Sequence, residues 1–274
     1  MIKNICIVGY GSIGKRHHKI LKKILGSAVK FDIVDLDTDL KIEDCINKEY
    51  DILVICTPTS SHIDILSKFK KINQLVFVEK PIDSSIEKAK KLKNNNIKTK
   101  VHVGCNLRFT NAYSELKQVI NDALYINVNS MSYLPTWRNL SDYKVNYSSN
   151  KSMGGGVVYD FIHEPDYIYS LLGKPSQYQT CEKRLFGNIT VDSADTASIL
   201  WEYENKIINI NLSYGSKKYI RNVNCLLLSG EMKTIEFTPN DISESYEKQW
   251  LHILESGPCN TFDSALGLLE ILDG

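Results

Sequence analysis

The sequence predicts an α/β protein in two parts. Residues 1–108 read as a doubly wound parallel sheet with helices on both faces, and residues 109–274 as an α/β domain built on an open, mostly antiparallel sheet. Three observations carry this reading. Short apolar runs alternate with helix-spaced segments through residues 5–103. Three glycines, Gly9, Gly11 and Gly14, stand between the first apolar run and the first helical segment. Beyond residue 196, apolar and polar residues alternate, as they do in a sheet buried on one face.

Residues 5–8 (ICIV) form a strand buried on both faces. Ile13, Ile20, Leu21 and Ile24 then fall at helical spacing. Residues 31–34, 52–56, 75–78 and 101–103 are the next strands, with a helix expected over 63–70. Ser84 and Glu87 have the spacing of a capping box ahead of a helix that carries Ile86, Ala89 and Leu92 on one face. Strands alternating with helices imply right-handed βαβ crossovers. Past Arg108 the rhythm changes. Residues 125–133 are strand-like, and residues 134–153, rich in Ser, Asn and Tyr, read as a long ordered loop. A helix follows the glycines at 154–156. Residues 196–203 and 207–214 pair through a turn at Glu204-Asn205, and 222–228 and 234–237 continue the sheet around Ser229-Gly230. The outer face of this sheet, with many Tyr and Ile residues, is expected to expose an apolar patch on a monomer. The last helices, near Trp250 and Leu266, return toward the first domain.

Composition narrows the function classes. A formal net charge of +1 gives no field that would select nucleic acid or a membrane surface. No apolar run approaches the roughly 20 residues of a membrane span, and the first run is too short for a signal peptide. Seven widely spaced cysteines without a C-x-x-C pair fit reduced thiols in a cytoplasm. They also argue against a metal site, because structural zinc sites show close ligand pairs.

The glycine cluster gains meaning from its context. It follows a strand, opens a helix and lies in a βαβ unit. There the glycines serve a tight turn, the close approach of a pyrophosphate and close helix–strand packing. The free N–H groups of the helix N-terminus face the phosphates. Asp35, at the end of the second strand, stands where a carboxylate accepts the hydroxyls of an adenosine ribose. Asp35 and Asp37 together would repel a 2′-phosphate, which favours NAD over NADP.

Three further stretches add a resemblance: CTPTSSH at residues 56–62, VEKP at 78–81 and GGGVVYDFIHEPD at 154–166. With the glycine loop, they are similar to the Gfo/Idh/MocA family of nicotinamide-dependent sugar and cyclitol oxidoreductases. The similarity covers nearly the whole chain. NLRF at residues 106–109 and LPTWR at 134–138 resemble a bacterial branch associated with surface-polysaccharide and amino-sugar biosynthesis. The resemblance implies a Rossmann domain followed by an α/β domain with an open antiparallel sheet, and a homodimer or homotetramer joined through the outer face of that sheet. It assigns Gly9, Gly11, Ser12, Ile13 and Gly14 to the cofactor phosphates and Asp35 to the ribose. It sets Thr57, Thr59 and His62 along the cofactor, Glu79 near the nicotinamide end and Lys80 beside the reacting carbinol. Asp160 and His163 complete the site from the other domain.

The chemistry asks for such groups independently. Oxidising a carbinol removes a hydride from carbon and a proton from oxygen, and the protein must supply geometry and proton transfer. A partly desolvated lysine beside a cationic nicotinamide, or a histidine, suits that proton transfer. Asp160 and His163, three residues apart, would share a helix face and could pair. The family's histidine commonly lies four residues after the aspartate, and here Glu164 takes that place, so either His163 or Glu164 could meet the substrate. Pro165 implies a kink or restart just after this pair. Arg108, Trp137, Arg138 and Tyr143 could contact substrate or could tether the long loop at an oligomer interface. Lys80, Asp160 and His163 favour an enzyme over an NAD(H)-binding sensor. A redox-neutral epimerase with retained NAD is the alternative within the enzyme class.

Overall fold

The structure, a computed structural model, describes residues 2–94, 100–137 and 143–273. Arg138 lies outside them. The chain divides into two compact units, residues 1–105 with 246–266 and residues 106–245 with 267–274.

The first unit runs β1 (Asn4–Val8), α1 (Ser12–Leu25), β2 (Lys30–Val34), α2 (Ile42–Cys45), β3 (Tyr50–Ile55), α3 (His62–Lys68), β4 (Ile72–Glu79), α4 (Ile86–Asn94) and β5 (Val101–Gly104). Its five strands are parallel in the order β2-β1-β3-β4-β5. The chain winds outward from β1 to β2 and then crosses to β3 on the other side, so the strand order reverses next to β1. In open α/β sheets, ligands bind at that reversal, outside the strand C-termini. Ile5, Ile7, Ile52, Val54 and Phe77 are fully buried and form one core with Leu21, Trp250 and Ile253. The capping box at Ser84 does not form. Helix α4 starts one residue later than that spacing requires, and Ser85 caps it by accepting the Lys88 N–H at 3.3 Å.

The second unit contains α5 (Asn111–Val119), β6 (Ala123–Tyr133), α6 (Leu134–Trp137), α7 (Val157–Asp160), α8 (His163–Leu172), β7 (Gln177–Lys183), β8 (Thr196–Tyr203), β9 (Lys206–Ser213), β10 (Gly215–Leu227) and β11 (Met232–Glu236). Helices α9 (Pro239–Ser256) and α10 (Phe262–Asp273) follow, and each contributes residues to both units. The sheet order is β11-β10-β6-β9-β8-β7. Every neighbouring pair is antiparallel except β6 with β9. On the inner face, Ile126, Val128, Ile199, Trp201, Ile208, Ile210 and Val223 are fully buried.

The outer face is not the expected apolar patch. Register aligns Asn209, Asn127 and Asn224 across β9, β6 and β10, and Asn211, Asn129 and Asn222 beside them. Asn211 donates to Asn129 at 3.3 Å and Asn129 to Asn222 at 3.1 Å. Alternation identified the buried face correctly, but amides rather than Tyr and Ile fill most of the opposite one. One row of this face is apolar, Ile207, Tyr125, Leu226 and Met232, which register places side by side.

Two elements of this unit escape the sequence patterns, α5 and β7. The loop at 134–153 contains α6 and three 3-10 turns, Tyr143–Val145, Tyr147–Ser149 and Lys151–Met153. Asn146 and Asn150 cap the second and third of these turns through their side-chain oxygens. The helix break expected just after the pair Asp160 and His163 falls between them. α7 ends at Asp160, α8 starts at His163, and Pro165 sits in the first turn of α8, where a missing N–H costs nothing.

Lys206 is a buried cation used for capping. Its ammonium donates to the carbonyls of Ile120, Asn121 and Ala123 at 3.2, 3.1 and 3.1 Å, closing the C-terminal end of α5. Replacing it by methionine keeps the stem and leaves those acceptors unpaired. Lys206→Met is expected to lower the unfolding free energy by about 2–3 kcal/mol in urea titrations. A loss of less than roughly 0.5 kcal/mol would show that the amine contributes nothing there.

Candidate functional site

In the first unit the site begins with backbone geometry. Gly9 has φ +91°, and a Cβ on it would lie 2.6 Å from the Cys56 carbonyl carbon and 2.7 Å from the Thr57 nitrogen. A Cβ on Gly14 would lie 2.1 Å from the Gly9 oxygen. A side chain at either position would push α1 off the end of the sheet. Gly11 differs, because a Cβ there would meet no atom within 4 Å. Gly11 is the N-cap of α1, no side chain caps that helix, and its first turn holds no acidic residue. The N–H groups of the first turn are thus left for an anion, and the gap at Gly11 lets one approach. These residues fit a dinucleotide pyrophosphate.

Asp35 follows β2 directly. Its Oδ2 accepts the Tyr10 N–H and its Oδ1 accepts the Leu36 N–H at 2.6 Å. The carboxylate therefore ties the glycine loop to the end of β2 while staying part-exposed, as a ribose acceptor must. Asp37 is exposed beside it.

Thr57, Thr59 and His62 follow β3. The Thr57 hydroxyl accepts from Ser61 at 2.8 Å, and Thr59 is buried. His62 is buried as well, with its two ring nitrogens 2.9 Å from the carbonyls of Thr57 and Pro81. It clamps the loop after β3 to the loop after β4. Burial lowers its pKa although both carbonyls favour the charged ring. Glu79 ends β4, and its Oε1 is 2.7 Å from His17 Nε2. Burial works to raise the Glu79 carboxyl, but His17 and Lys80 outweigh it and hold it below its ordinary pKa. Lys80 is half-buried and precedes a cis peptide to Pro81. Because the strands are parallel, the glycine loop, Asp35, Thr57, Glu79 and Lys80 all share the C-terminal edge of one sheet.

In the second unit Gly154 and Gly156 have φ of +82° and +136°, and a Cβ on Gly155 would lie 1.9 Å from the Tyr147 oxygen. This turn launches α7. Asp160, its last residue, is buried and accepts the Tyr214 hydroxyl at 2.7 Å. His163 is the first residue of α8, so the two do not share one helix face as expected. Glu164 is fully buried and accepts from Arg221 Nε at 2.7 Å and from a terminal guanidinium nitrogen at 3.3 Å. Burial raises the Glu164 carboxyl despite the guanidinium that opposes it. Arg108 donates to both oxygens of Asp166, at 2.7 and 2.6 Å, and this pair is buried too. The Tyr143 hydroxyl accepts the Thr190 N–H at 2.9 Å. Trp137 stacks on Phe161 with ring centroids 5.3 Å apart, lies 6.3 Å from the Tyr214 ring and stays 37% exposed. Sequence reasoning missed Tyr214 and Arg221, because nothing in local spacing reveals partners 54 and 57 residues away.

Among the described residues no cluster of His, Cys, Asp and Glu could hold a metal ion, and no helix is long and apolar enough to cross a membrane.

Comparison with known proteins bears on the family and the fold. Residues 3–107 match the family described as an oxidoreductase family with an NAD-binding Rossmann fold, Gfo/Idh/MocA. The chain is 29% identical over 184 residues to inositol 2-dehydrogenase of Rhizobium meliloti, covering 61% of this chain and 54% of that one. It is 29% identical over 133 residues to the NAD(+)-dependent scyllo-inositol 2-dehydrogenase of Bacillus subtilis, covering 42% and 39%. The chain thus spans about half the length of the curated relatives it matches. The fold superposes on a myo-inositol dehydrogenase from Corynebacterium glutamicum with a TM-score of 0.75 at 18% identity, covering 100% of this chain and 95% of that one. It also superposes on GenD2 from gentamicin A biosynthesis, solved with NAD, with a TM-score of 0.77 at 17% identity, covering 99% and 92%.

The contrast between the glycines is testable. Gly11→Ala is expected to keep the melting midpoint and to weaken NAD binding by at least about tenfold in calorimetry, roughly 1.4 kcal/mol. Gly14→Ala is expected to lower the midpoint sharply. Equal stability losses in the two variants would contradict the assignment of Gly11 to the ligand side.

Proposed function

Because residues 3–107 belong to the Gfo/Idh/MocA oxidoreductases, we propose that this chain is an NAD-dependent dehydrogenase acting on a CH–OH group of a polyhydroxylated ring, a cyclitol or a sugar. The observation that carries the proposal is the shared sheet edge, where an open glycine loop and Asp35 stand in line with Glu79 and Lys80. NAD, when bound, takes the hydride from the carbinol carbon. Asp35 and the exposed Asp37 favour NAD, since a 2′-phosphate would meet two carboxylates. Lys80 holds the substrate hydroxyl and takes part in transferring its proton. His163 serves as acid/base partner, and Asp160, oriented by Tyr214, supports it. Glu164 is assigned to anchoring α8, because Arg221 engages both of its oxygens. Arg108 and Tyr143 are assigned to scaffolding for the same kind of reason, and Trp137 to the apolar face of the ring.

The inositol dehydrogenases among the relatives support a cyclitol substrate. A sugar nucleotide of surface-glycan assembly is the second reading, supported by the stretches at 106–109 and 134–138. The proposal also places the enzyme in a reducing cytoplasm, where its seven scattered cysteines remain thiols.

The test is a screen of inositols, sugars and sugar nucleotides against the purified protein with NAD, following the absorbance of the reduced nicotinamide. Turnover of a ring alcohol is expected. Lys80→Ala and His163→Ala should each reduce it by roughly 10²–10⁴-fold with NAD affinity nearly intact. NAD binding with no turnover of any compound would identify a sensor. NAD retained through purification, with substrate epimerised and no net reduction, would identify an epimerase.

We further propose that the chain self-associates through the outer sheet face, where Tyr125, Ile207 and Met232 are 39, 45 and 60% exposed. Sedimentation should give a dimer or tetramer that Tyr125→Glu weakens. A monomer at micromolar concentration would overturn this.

A further inference from the structure

Within the first unit, Trp250 on α9 donates its indole N–H to Nδ1 of His17 at 2.8 Å. His17, on α1, is fully buried between the rings of Phe77 and Trp250, with centroids at 4.8 and 5.7 Å. An indole nitrogen can only donate, so Nδ1 of His17 must accept, and the ring proton resides on Nε2. That N–H points at Oε1 of Glu79, 2.7 Å away. The other Glu79 oxygen accepts the backbone N–H of Lys80 at 3.2 Å. A continuous directed chain thus runs from α9 through α1 to the residue beside Lys80.

We infer that Trp250 and His17 are positioning residues. Trp250 sets the tautomer of His17, and His17 holds Glu79 ionised and oriented at the end of β4, which fixes the backbone from which Lys80 projects. The inference rests on the role proposed above for Lys80. The packing supports it. Gly104 on β5 leaves room for this arrangement, since a Cβ there would lie 2.7 Å from the Phe77 ring and 3.3 Å from Glu79 Oε1. The titratable groups around Glu79 are His17 from α1, Cys56 after β3, His62 from α3 and the adjacent Lys80. Of these, His17 donates the side-chain hydrogen bond. Without that donor, burial would push the Glu79 carboxyl upward, and the ionised form would be lost at a higher pH on acidification.

The experiment compares His17→Leu, His17→Gln and Trp250→Phe. Glutamine can place an N–H where Nε2 stands; leucine cannot. Phenylalanine keeps an aromatic ring against Phe77 and removes the N–H together with part of the indole. In wild type, ¹⁵N spectra should show His17 as the Nε2–H tautomer with Nδ1 accepting a hydrogen bond, and Trp250→Phe should shift the Nδ1 resonance toward that of an acceptor without a donor. Titration of the Glu79 carboxyl by ¹³C spectra, and the acid limb of kcat/KM, should both move up by about one pH unit in His17→Leu. His17→Gln should restore them. Turnover in His17→Leu should fall roughly ten- to hundredfold, with less change in KM. An Nδ1–H tautomer in wild type would overturn the inference, as would equal behaviour of the Leu and Gln variants in the carboxyl titration. If His17→Leu does not fold, the Trp250→Phe Nδ1 resonance and carboxyl titration decide on their own. If no substrate is turned over by the wild type, the dehydrogenase reading fails, while the spectra still test the hydrogen-bonded chain.

Discussion

Without side chains at Gly9 and Gly14, α1 can begin in direct contact with the end of β3, and the rest of the first unit follows from that contact. It sets the first-turn N–H groups at the sheet edge where the strand order reverses. It lets Asp35 reach across to Tyr10, so that β2 and the glycine loop move as one piece. It also aims α1 so that His17 lies over Phe77 and reaches the end of β4. Even the smallest side chain at Gly14 would have to overlap a backbone oxygen, which cannot move without opening the sheet.

The second unit uses charge where the first uses close backbone approach. Its sheet offers Tyr214 and Arg221 to two short helices, and each takes a carboxylate, Asp160 and Glu164, on either side of His163. Removing one partner of a buried ion pair costs on the order of 3–5 kcal/mol, because the other charge is left unpaired in an apolar setting. Such pairs define position more than they add stability. Across the break at Phe161–Ile162, Asp160 reaches Tyr214 in the turn between β9 and β10, and Glu164 reaches Arg221 on β10.

What was legible in the sequence is what local repetition encodes. Strands buried on both faces appear as apolar runs, the glycines announce a backbone that must pass close to something, and the acid after the second strand sits at a countable distance. Strand β7 was invisible because QYQTCEK buries almost nothing and so shows no alternation. Helix α5 was missed where the rhythm changes after Arg108. The outer face of the second sheet was misjudged, because alternation identifies which residues turn away from the core without saying that asparagines would bond one another there. The partners of Glu164, Asp160 and His17 lie 57, 54 and 233 residues away, and no pattern within a segment encodes them.

Trp250 and Ile253 complete a core whose other members all lie before residue 78. During synthesis, the parallel sheet therefore leaves the ribosome long before the helix that covers it. At roughly 5–20 residues per second, the interval is many seconds. Throughout it, Ile5, Ile7 and Phe77 lack their final cover and His17 faces Glu79 without an indole. A fragment ending near residue 108 would lack that cover altogether.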